Sequence, residues 1–425
     1  MEQTPKANRV HIGFFGRCNA GKSTLINMLT DQPVSLVSEV AGTTTDPVSK
    51  SMEILPLGPV VITDTAGIDD TSELGALRIE KSEEIIKKIN LAVYVLRNDK
   101  APTADDMMWL NKLKQNNVPI ALFINEINAF DSESAHDNDS NGNDTNLNYV
   151  DTYPDLSAIA TVVGSTDFTS NRDRLTLLDL LGGLTPLDVE GEQSLLQGLV
   201  NPGDTIILVC PIDSAAPKGR LILPQVQTIR EILDHKGLAL VCQTEELPTM
   251  LNKLSQKPKL VITDSQAFEA VNALTPADIP LTSFSILMAR FKGKLQDLVT
   301  GVKALNNLKS GARVLISEGC THRRQCDDIG TVKIPMWLKK KGHTDLQLEF
   351  TSGGAFPKDV SGYDLIIHCG ACMLTRREVL RRIDCAVVQG TPIVNYGVLI
   401  ASLHGILERA ISPFMDELDR KGFEC

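Results

Sequence analysis

The residues Gly16-Arg17-Cys18-Asn19-Ala20-Gly21-Lys22-Ser23 follow the pattern G-x-x-x-x-G-K-S, between a short apolar run at 9–15 and a stretch of helical spacing from Ser23 to Leu29. Strand, glycine-bounded loop and helix in that order are what phosphate binding needs. Loop amides and the helix N-terminus cradle the oxygens, Lys22 reaches the β and γ phosphates, and Ser23 ligates Mg²⁺. A glycine-rich turn with a surface lysine is the bland alternative, and it leaves the flanking strand and helix unexplained. Asp64-Thr65-Ala66-Gly67 follows the apolar run Val60 to Thr63, so Asp64 can hold Mg²⁺ through water while the Gly67 amide meets the γ-phosphate. Gly42-Thr43-Thr44-Thr45-Asp46 lies between the two motifs, where a loop supplies a threonine hydroxyl to the magnesium, and Thr44 is the candidate. The nucleotide-binding set is then Gly16, Asn19, Ala20, Gly21, Lys22, Ser23 and Thr24, with Lys22, Thr44, Asp64 and Gly67 carrying the chemistry.

A second concentration of reactive side chains lies in the last third. Cys320 and His322 follow the apolar run Ala312 to Ser317, and His368-Cys369-Gly370-Ala371-Cys372 follows the run Tyr363 to Ile367. Both sets leave the carboxyl ends of expected strands, where parallel α/β sheets build their sites. If those strands are neighbours, the thiols converge. Three thiolates with one exchangeable ligand suit an iron-sulfur cluster with one open iron. A tetrahedral zinc site on Cys320, His322, Cys369 and Cys372, a thiol redox pair, and buried unliganded thiols are the other readings of the same residues. Cys326 and Cys385 look like spare core or helix residues. Arg376, Arg377, Arg381 and Arg382 follow at helical spacing and read as a solvated face, though an anionic cluster or acidic partner could use them.

The elements that must position these residues alternate along the chain. Apolar runs at Leu91 to Leu96 and Pro119 to Ile124 alternate with helical stretches at Leu74 to Ile89 and Ala104 to Gln115, the βαβ rhythm of a mostly parallel sheet. From 128 to 151 the pattern dissolves into Asp, Asn and Ser, a surface insertion with little to bury. A second α/β unit has strands at Thr205 to Val209, Leu238 to Cys242 and Leu260 to Thr263, then a long helix from Met288 to Leu308. The third opens at Ala312 and closes in a helical stretch from Val398 to Ala410. The expected architecture is three α/β domains with mostly parallel sheets, the first a P-loop fold, at 1–185, 186–308 and 309–425, which suits a length of 425 residues.

With 42 Lys plus Arg against 53 Asp plus Glu, the net charge of −11 weighs against a protein whose work is coating nucleic acid. No apolar run approaches the ~20 residues that cross a bilayer, and the start lacks a signal-peptide core. A cytoplasmic protein without membrane contact is expected, in which nine cysteines are a poor disulfide framework.

The G-x-x-x-x-G-K-S, G-T-T-x-D and D-T-A-G motifs together resemble the translation-factor-related GTPases, above all the Era and TrmE group. In that group an Asn at the place of Asn19 accompanies potassium-stimulated hydrolysis, and the residue after D-T-A-G is apolar, as Ile68 is. The resemblance therefore implies GTP and magnesium, with K⁺ held near Asn19 in place of an arginine finger. One departure concerns the base: where that group reads guanine with N-K-x-D, this chain has Asn125-Glu126-Ile127-Asn128. Losing a paired acceptor costs a few kcal/mol of discrimination, so weak GTP binding is expected, with Asn125 the retained base-side contact. Gly164-Ser165-Thr166 takes the place of the S-A-x element.

C-x-H followed some 45 residues later by H-C-x-x-C, behind such a GTPase domain, resembles the HydF family, the maturation GTPases of iron-iron hydrogenases. The likeness continues in the block from Pro211 to Gln225, in Phe350-Thr351-Ser352-Gly353-Gly354 and in Asn395-Tyr396-Gly397-Val398-Leu399-Ile400. It implies a 4Fe-4S cluster on Cys320, Cys369 and Cys372, with Glu318, His322 or His368 as fourth ligand. It also implies a homodimer through the middle domain, and a scaffold that receives a diiron precursor from radical-SAM maturases and delivers it to the apo-hydrogenase. Ala371 stands where the family usually has Gly, a small change provided the backbone there is not at positive φ. The competing reading is an Era/TrmE-type regulatory GTPase for RNA modification or ribosome assembly with a structural zinc domain.

Overall fold

The computed structural model describes residues 9–30, 48–54, 58–65, 82–126, 152–166, 171–184, 194–212, 221–319, 328–353 and 355–419. Thr44, Gly67, Ile68, Asn128, Cys320, His322 and Cys326 lie outside them, as do the acidic insertion and most of the stretch Leu74 to Ile89. The chain divides into two compact units, Met1–Val189 and Glu190–Cys425.

The first unit is built on a six-stranded sheet, ordered β2-β3-β1-β4-β5-β6. Its strands are β1 Val10–Phe15, β2 Val48–Ile54, β3 Gly58–Asp64, β4 Leu91–Arg97, β5 Ile120–Asn125 and β6 Val162–Thr166. All pair in parallel except the edge strand β2, which runs antiparallel to β3. Apolar runs such as Leu-Ala-Val-Tyr-Val-Leu in β4 are buried on both faces, because helices cover both sides of a parallel sheet. Strand alternation sorts them: Val93, Val95 and Phe123 join Phe14 and Leu25 on one face, while Tyr94, Leu96 and Leu122 join Phe15 and Trp109 on the other.

The second unit holds two four-stranded sheets, both wholly parallel. One has the order β10-β9-β7-β8, from β7 Thr205–Val209, β8 Leu238–Cys242, β9 Leu260–Thr263 and β10 Leu281–Ser283. The other has the order β12-β11-β13-β14, from β11 Arg313–Ser317, β12 Gln347–Thr351, β13 Leu365–His368 and β14 Ile393–Asn395. A single hydrophobic cluster runs through both, from Leu195 to Leu418.

The single helix expected over Met288 to Leu308 is instead three, Phe284–Lys292, Leu295–Thr300 and Val302–Leu305. Glycines mark the breaks. Gly293 caps the first, its amide donating to the Ala289 carbonyl, and at Gly301 an added Cβ would stand 2.0 Å from the Ile393 carbonyl oxygen. That contact is how the segment packs so closely on β14. The expected helix from Val398 to Ala410 likewise becomes Tyr396–Leu403 and Leu407–Ile411, divided where Gly405 takes φ 72°.

Candidate functional site

The phosphate loop leaves β1 and enters the helix Lys22–Thr30. Gly16 has φ 136°, and a Cβ there would meet the Val95 carbonyl oxygen at 2.5 Å, so only glycine lets the loop cross β4. Gly21 and Asn19 also lie at positive φ, 103° and 58°; asparagine is among the few side chains that tolerate this. Lys22 is buried, its Nζ donating to the carbonyls of Gly16 at 2.8 Å and Arg17 at 2.9 Å. The ammonium thus lies across the loop it serves. Ala20 is buried, while Ser23 and Thr24 are exposed at the first turn.

Asp64 ends β3 beside β1, paired in register with Phe14. Burial raises its pKa, opposed by the Lys22 charge, and its Oδ1 is buried with no hydrogen-bond partner among the described residues. An orphaned carboxylate oxygen beside a phosphate-loop lysine suits a magnesium-bound water, so the residues present fit the metal. Asn125, at the end of β5, donates from Nδ2 to the Ala20 carbonyl at 3.1 Å, which fastens the base-side strand to the loop. Thr166 pairs with Asn125 across β5 and β6, so Gly164-Ser165-Thr166 closes the neighbouring strand end.

An anchor that the motif reading missed is Asp106. Fully buried, it accepts from the Tyr94 hydroxyl at 2.9 Å and from the Thr103 amide at 2.8 Å, and it pairs with Arg17 Nε at 3.2 Å. It is therefore both the capping-box residue of helix Ala104–Gln115 and the tether of the phosphate loop. The T-x-x-D spacing before that helix carried half of this signal.

In the second unit β11 and β13 are direct neighbours, with Ser317 opposite His368. The condition for convergence of the two cysteine-bearing loops is met along their described lengths. The Gly319 amide, one residue before Cys320, donates to Cys369 Sγ at 3.0 Å, and the Ala371 amide does so at 3.3 Å. A sulfur that accepts two backbone N–H groups is prepared to carry negative charge, as a metal thiolate must. Burial and the Cys369 thiol raise the Cys372 pKa, against Lys292 and the amides of Cys372 and Met373. Among the described residues no three metal-binding side chains are grouped to share one ion; Cys320 and His322 are outside that set.

Ala371 has φ 54°. The glycine-to-alanine change is therefore not small: an L-residue in the left-handed region costs about 1–2 kcal/mol, which the surrounding contacts must offset. The Ala371 methyl is itself buried.

Of the candidate fourth ligands, Glu318 is buried, its Oε1 accepting from the Tyr396 hydroxyl at 3.4 Å. His368 is buried with both ring nitrogens engaged: Nδ1 donates to the Cys369 carbonyl at 2.9 Å, and Nε2 accepts from Arg382 at 3.2 Å. Burial, then the Arg382 charge, pushes its pKa down to about 4. As placed, His368 spends both ring nitrogens within the protein.

The arginines are also corrected. Arg382 is fully buried, bonding Glu378 at 2.7 Å, His368 at 3.2 Å, the Ser317 hydroxyl at 3.4 Å and the Gly353 carbonyl at 2.6 Å. Arg381 forks onto Glu378, and Arg376 reaches the Phe291 carbonyl. No solvated stripe is formed, because Glu378 turns the helix face inward. Burial works to raise the Glu378 pKa, but hydrogen bonds from Arg381 and Arg382 bring it below the ordinary carboxyl value.

Lys292 is the other side chain without a sequence signal. It is fully buried, and its Nζ lies 2.8 Å from the Leu374 carbonyl, 3.0 Å from that of Cys372 and 3.4 Å from that of Ala371. Burial pushes its pKa down to about 8, with the thiols of Cys372 and Cys369 holding it up.

Comparison with known proteins follows the same division. Residues 11–126 match the family model described as a 50S ribosome-binding GTPase. Residues 195–293 match the hydrogen maturase F dimerization domain, and 296–413 the hydrogen maturase F tetramerization domain. A tRNA modification GTPase MnmE of Endomicrobium trichonymphae is 31% identical over 121 residues, 28% of this chain and 26% of that protein. A GTPase Der of Wolinella succinogenes is 36% identical over 99 residues, 23% of this chain and 20% of its own. The chain thus spans about a quarter of the length of the curated relatives it matches. A crystal structure of Aquifex aeolicus Era, 19% identical, aligns over 58% of this chain and 98% of that one at a TM-score of 0.33. A superposition this loose adds nothing to the fold read from the sheet order.

Proposed function

The chain belongs to the hydrogen maturase F family, and from that premise we propose a GTP-hydrolysing scaffold that holds a 4Fe-4S cluster on Cys320, Cys369 and Cys372. It carries a diiron precursor from radical-SAM maturases to an iron-iron hydrogenase awaiting its active-site metal. The work is divided among three cytoplasmic modules, 1–185 for nucleotide, 186–308 for dimerisation and 309–425 for the cluster.

Each module has its support. In the first, Lys22 serves the phosphates, Ser23, Asp64 and Thr44 the magnesium, Gly67 the γ-phosphate and Asn19 the potassium that substitutes for an arginine finger. Equal hydrolysis rates in K⁺ and Na⁺ would remove the last assignment. In the second, Leu238 and Val241 on the edge strand β8 and Val226 and Leu233 on helix Leu223–Asp234 are exposed apolar side chains that a second copy would cover. In the third, one observation carries the reading: the amide of Gly319, next to Cys320, lies on Cys369 Sγ at 3.0 Å.

A bound cluster would supply an iron with an exchangeable ligand at which a second iron fragment docks. Glu318 and His322 are the proposed sources of that ligand, while His368 and Arg382 fix the Cys369 loop. The Era/TrmE-type reading with structural zinc is not favoured, since the MnmE and Der relatives align over 28% and 23% of this chain, while residues 195–293 and 296–413 match hydrogen maturase F domains. Anaerobic reconstitution with iron and sulfide tests the proposal. A brown protein with iron-sulfur absorption is expected; stoichiometric zinc without iron uptake refutes it.

A further inference from the structure

Lys292 ends the helix Phe284–Lys292 and is sealed from solvent, yet among the described residues no carboxylate pairs with it. Its ammonium spends its hydrogen bonds on the carbonyls of Ala371, Cys372 and Leu374, in one turn of chain directly after Cys369. Burying a charge this fully is expensive unless the site gains from it. The gain lies in what the same turn does for sulfur. Ala371, whose carbonyl Lys292 binds, donates its own amide to Cys369 Sγ at 3.3 Å. The ammonium therefore fixes a turn whose N–H faces a cysteine sulfur, the arrangement by which hydrogen bonds to sulfur tune a cluster. It also holds the turn in which Ala371 keeps its unfavourable φ of 54°.

We propose that Lys292 is a positioning residue of the metal site, an ammonium that fixes the C-x-x-C turn and aims the Ala371 amide at the Cys369 sulfur. The inference rests on the reading that Cys320, Cys369 and Cys372 hold a 4Fe-4S cluster.

The test uses the full chain, reconstituted anaerobically with iron and sulfide, as wild type, Lys292→Met and Leu403→Ala. The last is a buried truncation at the far end of helix Tyr396–Leu403 that lowers stability without touching the turn. Two quantities are read: the rate of iron loss to a chelator and the midpoint potential of the cluster. Lys292→Met is expected to lose iron roughly tenfold faster, and its potential to move to more negative values because a positive charge is gone. Leu403→Ala is expected to keep the wild-type potential. A Lys292→Met cluster with wild-type potential and chelation rate overturns the proposal. So does equal lability of both variants at unshifted potential, which would make Lys292 a packing residue only. Should the Met variant not fold, Lys292→Gln, which keeps donors without the charge, is read in the same way. A wild-type chain that takes up no cluster overturns the underlying reading instead, and the proposal with it.

Discussion

Replacing Arg382 by Met isolates what the buried guanidinium contributes. Methionine conserves most of the volume, so the cavity term is small. Two acceptors then lose their donor in the interior, His368 Nε2 and the Gly353 carbonyl, while Ser317 keeps a bond from the Thr351 hydroxyl at 3.0 Å. Each orphaned acceptor costs about 1–3 kcal/mol. Glu378 keeps the Arg381 fork but loses one of its two cations. The sum falls in the range of roughly 3–5 kcal/mol for breaking a buried ion pair from one side. The assay is urea unfolding at neutral pH in a Trp109→Phe background. With two tryptophans in the chain, this leaves Trp337 to report the second unit. At a slope of about 3 kcal/mol per molar the midpoint should fall by roughly 1–2 M. Arg382→Lys should fall between, since a single ammonium cannot reach acceptors on four separate segments. A Met variant within about 1 kcal/mol of the parent, or a Lys variant equal to it, refutes the reasoning.

Three further outcomes are expected. Gly16→Ala should weaken nucleotide binding by at least about tenfold, because its Cβ would stand 2.5 Å from the Val95 carbonyl at φ 136°; titration with a fluorescent GTP analogue checks this, and unchanged affinity contradicts it. Lys22→Ala should abolish phosphate release and leave reconstituted iron content at the wild-type level, while Cys369→Ala does the reverse; cluster loss in the Lys22 variant would speak against independent centres. The Glu378 carboxyl titrates below its ordinary value of 4.5 in the fold. Its stabilisation is therefore complete above that value and lost as pH falls through the folded pKa. Glu378→Gln should flatten this acid limb in stability measured against pH, and an unaltered limb would assign acid sensitivity elsewhere.

How much of this was legible in the sequence depends on whether the signal was local. The phosphate loop was readable because its chemistry demands fixed residue types at fixed spacing, and long apolar runs such as Leu91 to Leu96 announced central strands. Strands β10 and β14, of three residues each, carry too little periodicity to be seen, and β2 alternates polar residues on a sheet edge. The Met288 to Leu308 stretch kept helical spacing across two glycines, and tertiary packing decides where it breaks, at Gly301 through the approach of β14. Glu378 and Arg382 stand four apart, the spacing of a surface ion pair, so burial inverted their meaning. Lys292 was silent for another reason: its partner carbonyls follow about 80 residues later.

The boundary between the two hydrogen maturase F domain matches falls at residues 293–296, a tempting place to cut the gene. A fragment starting there would leave behind several grips on the cysteine-bearing end. One is Lys292; another is Ser285, whose hydroxyl is bound by the Asn395 side chain at 3.0 Å and the Gly397 amide at 3.1 Å. It would also strip half of a shared core and open its Leu, Ile and Val faces to water. The physical seam is at Glu190. Dissection of this protein into working pieces should place its scissors there, and weak metal uptake by a shorter piece would report the missing grips rather than the ligands.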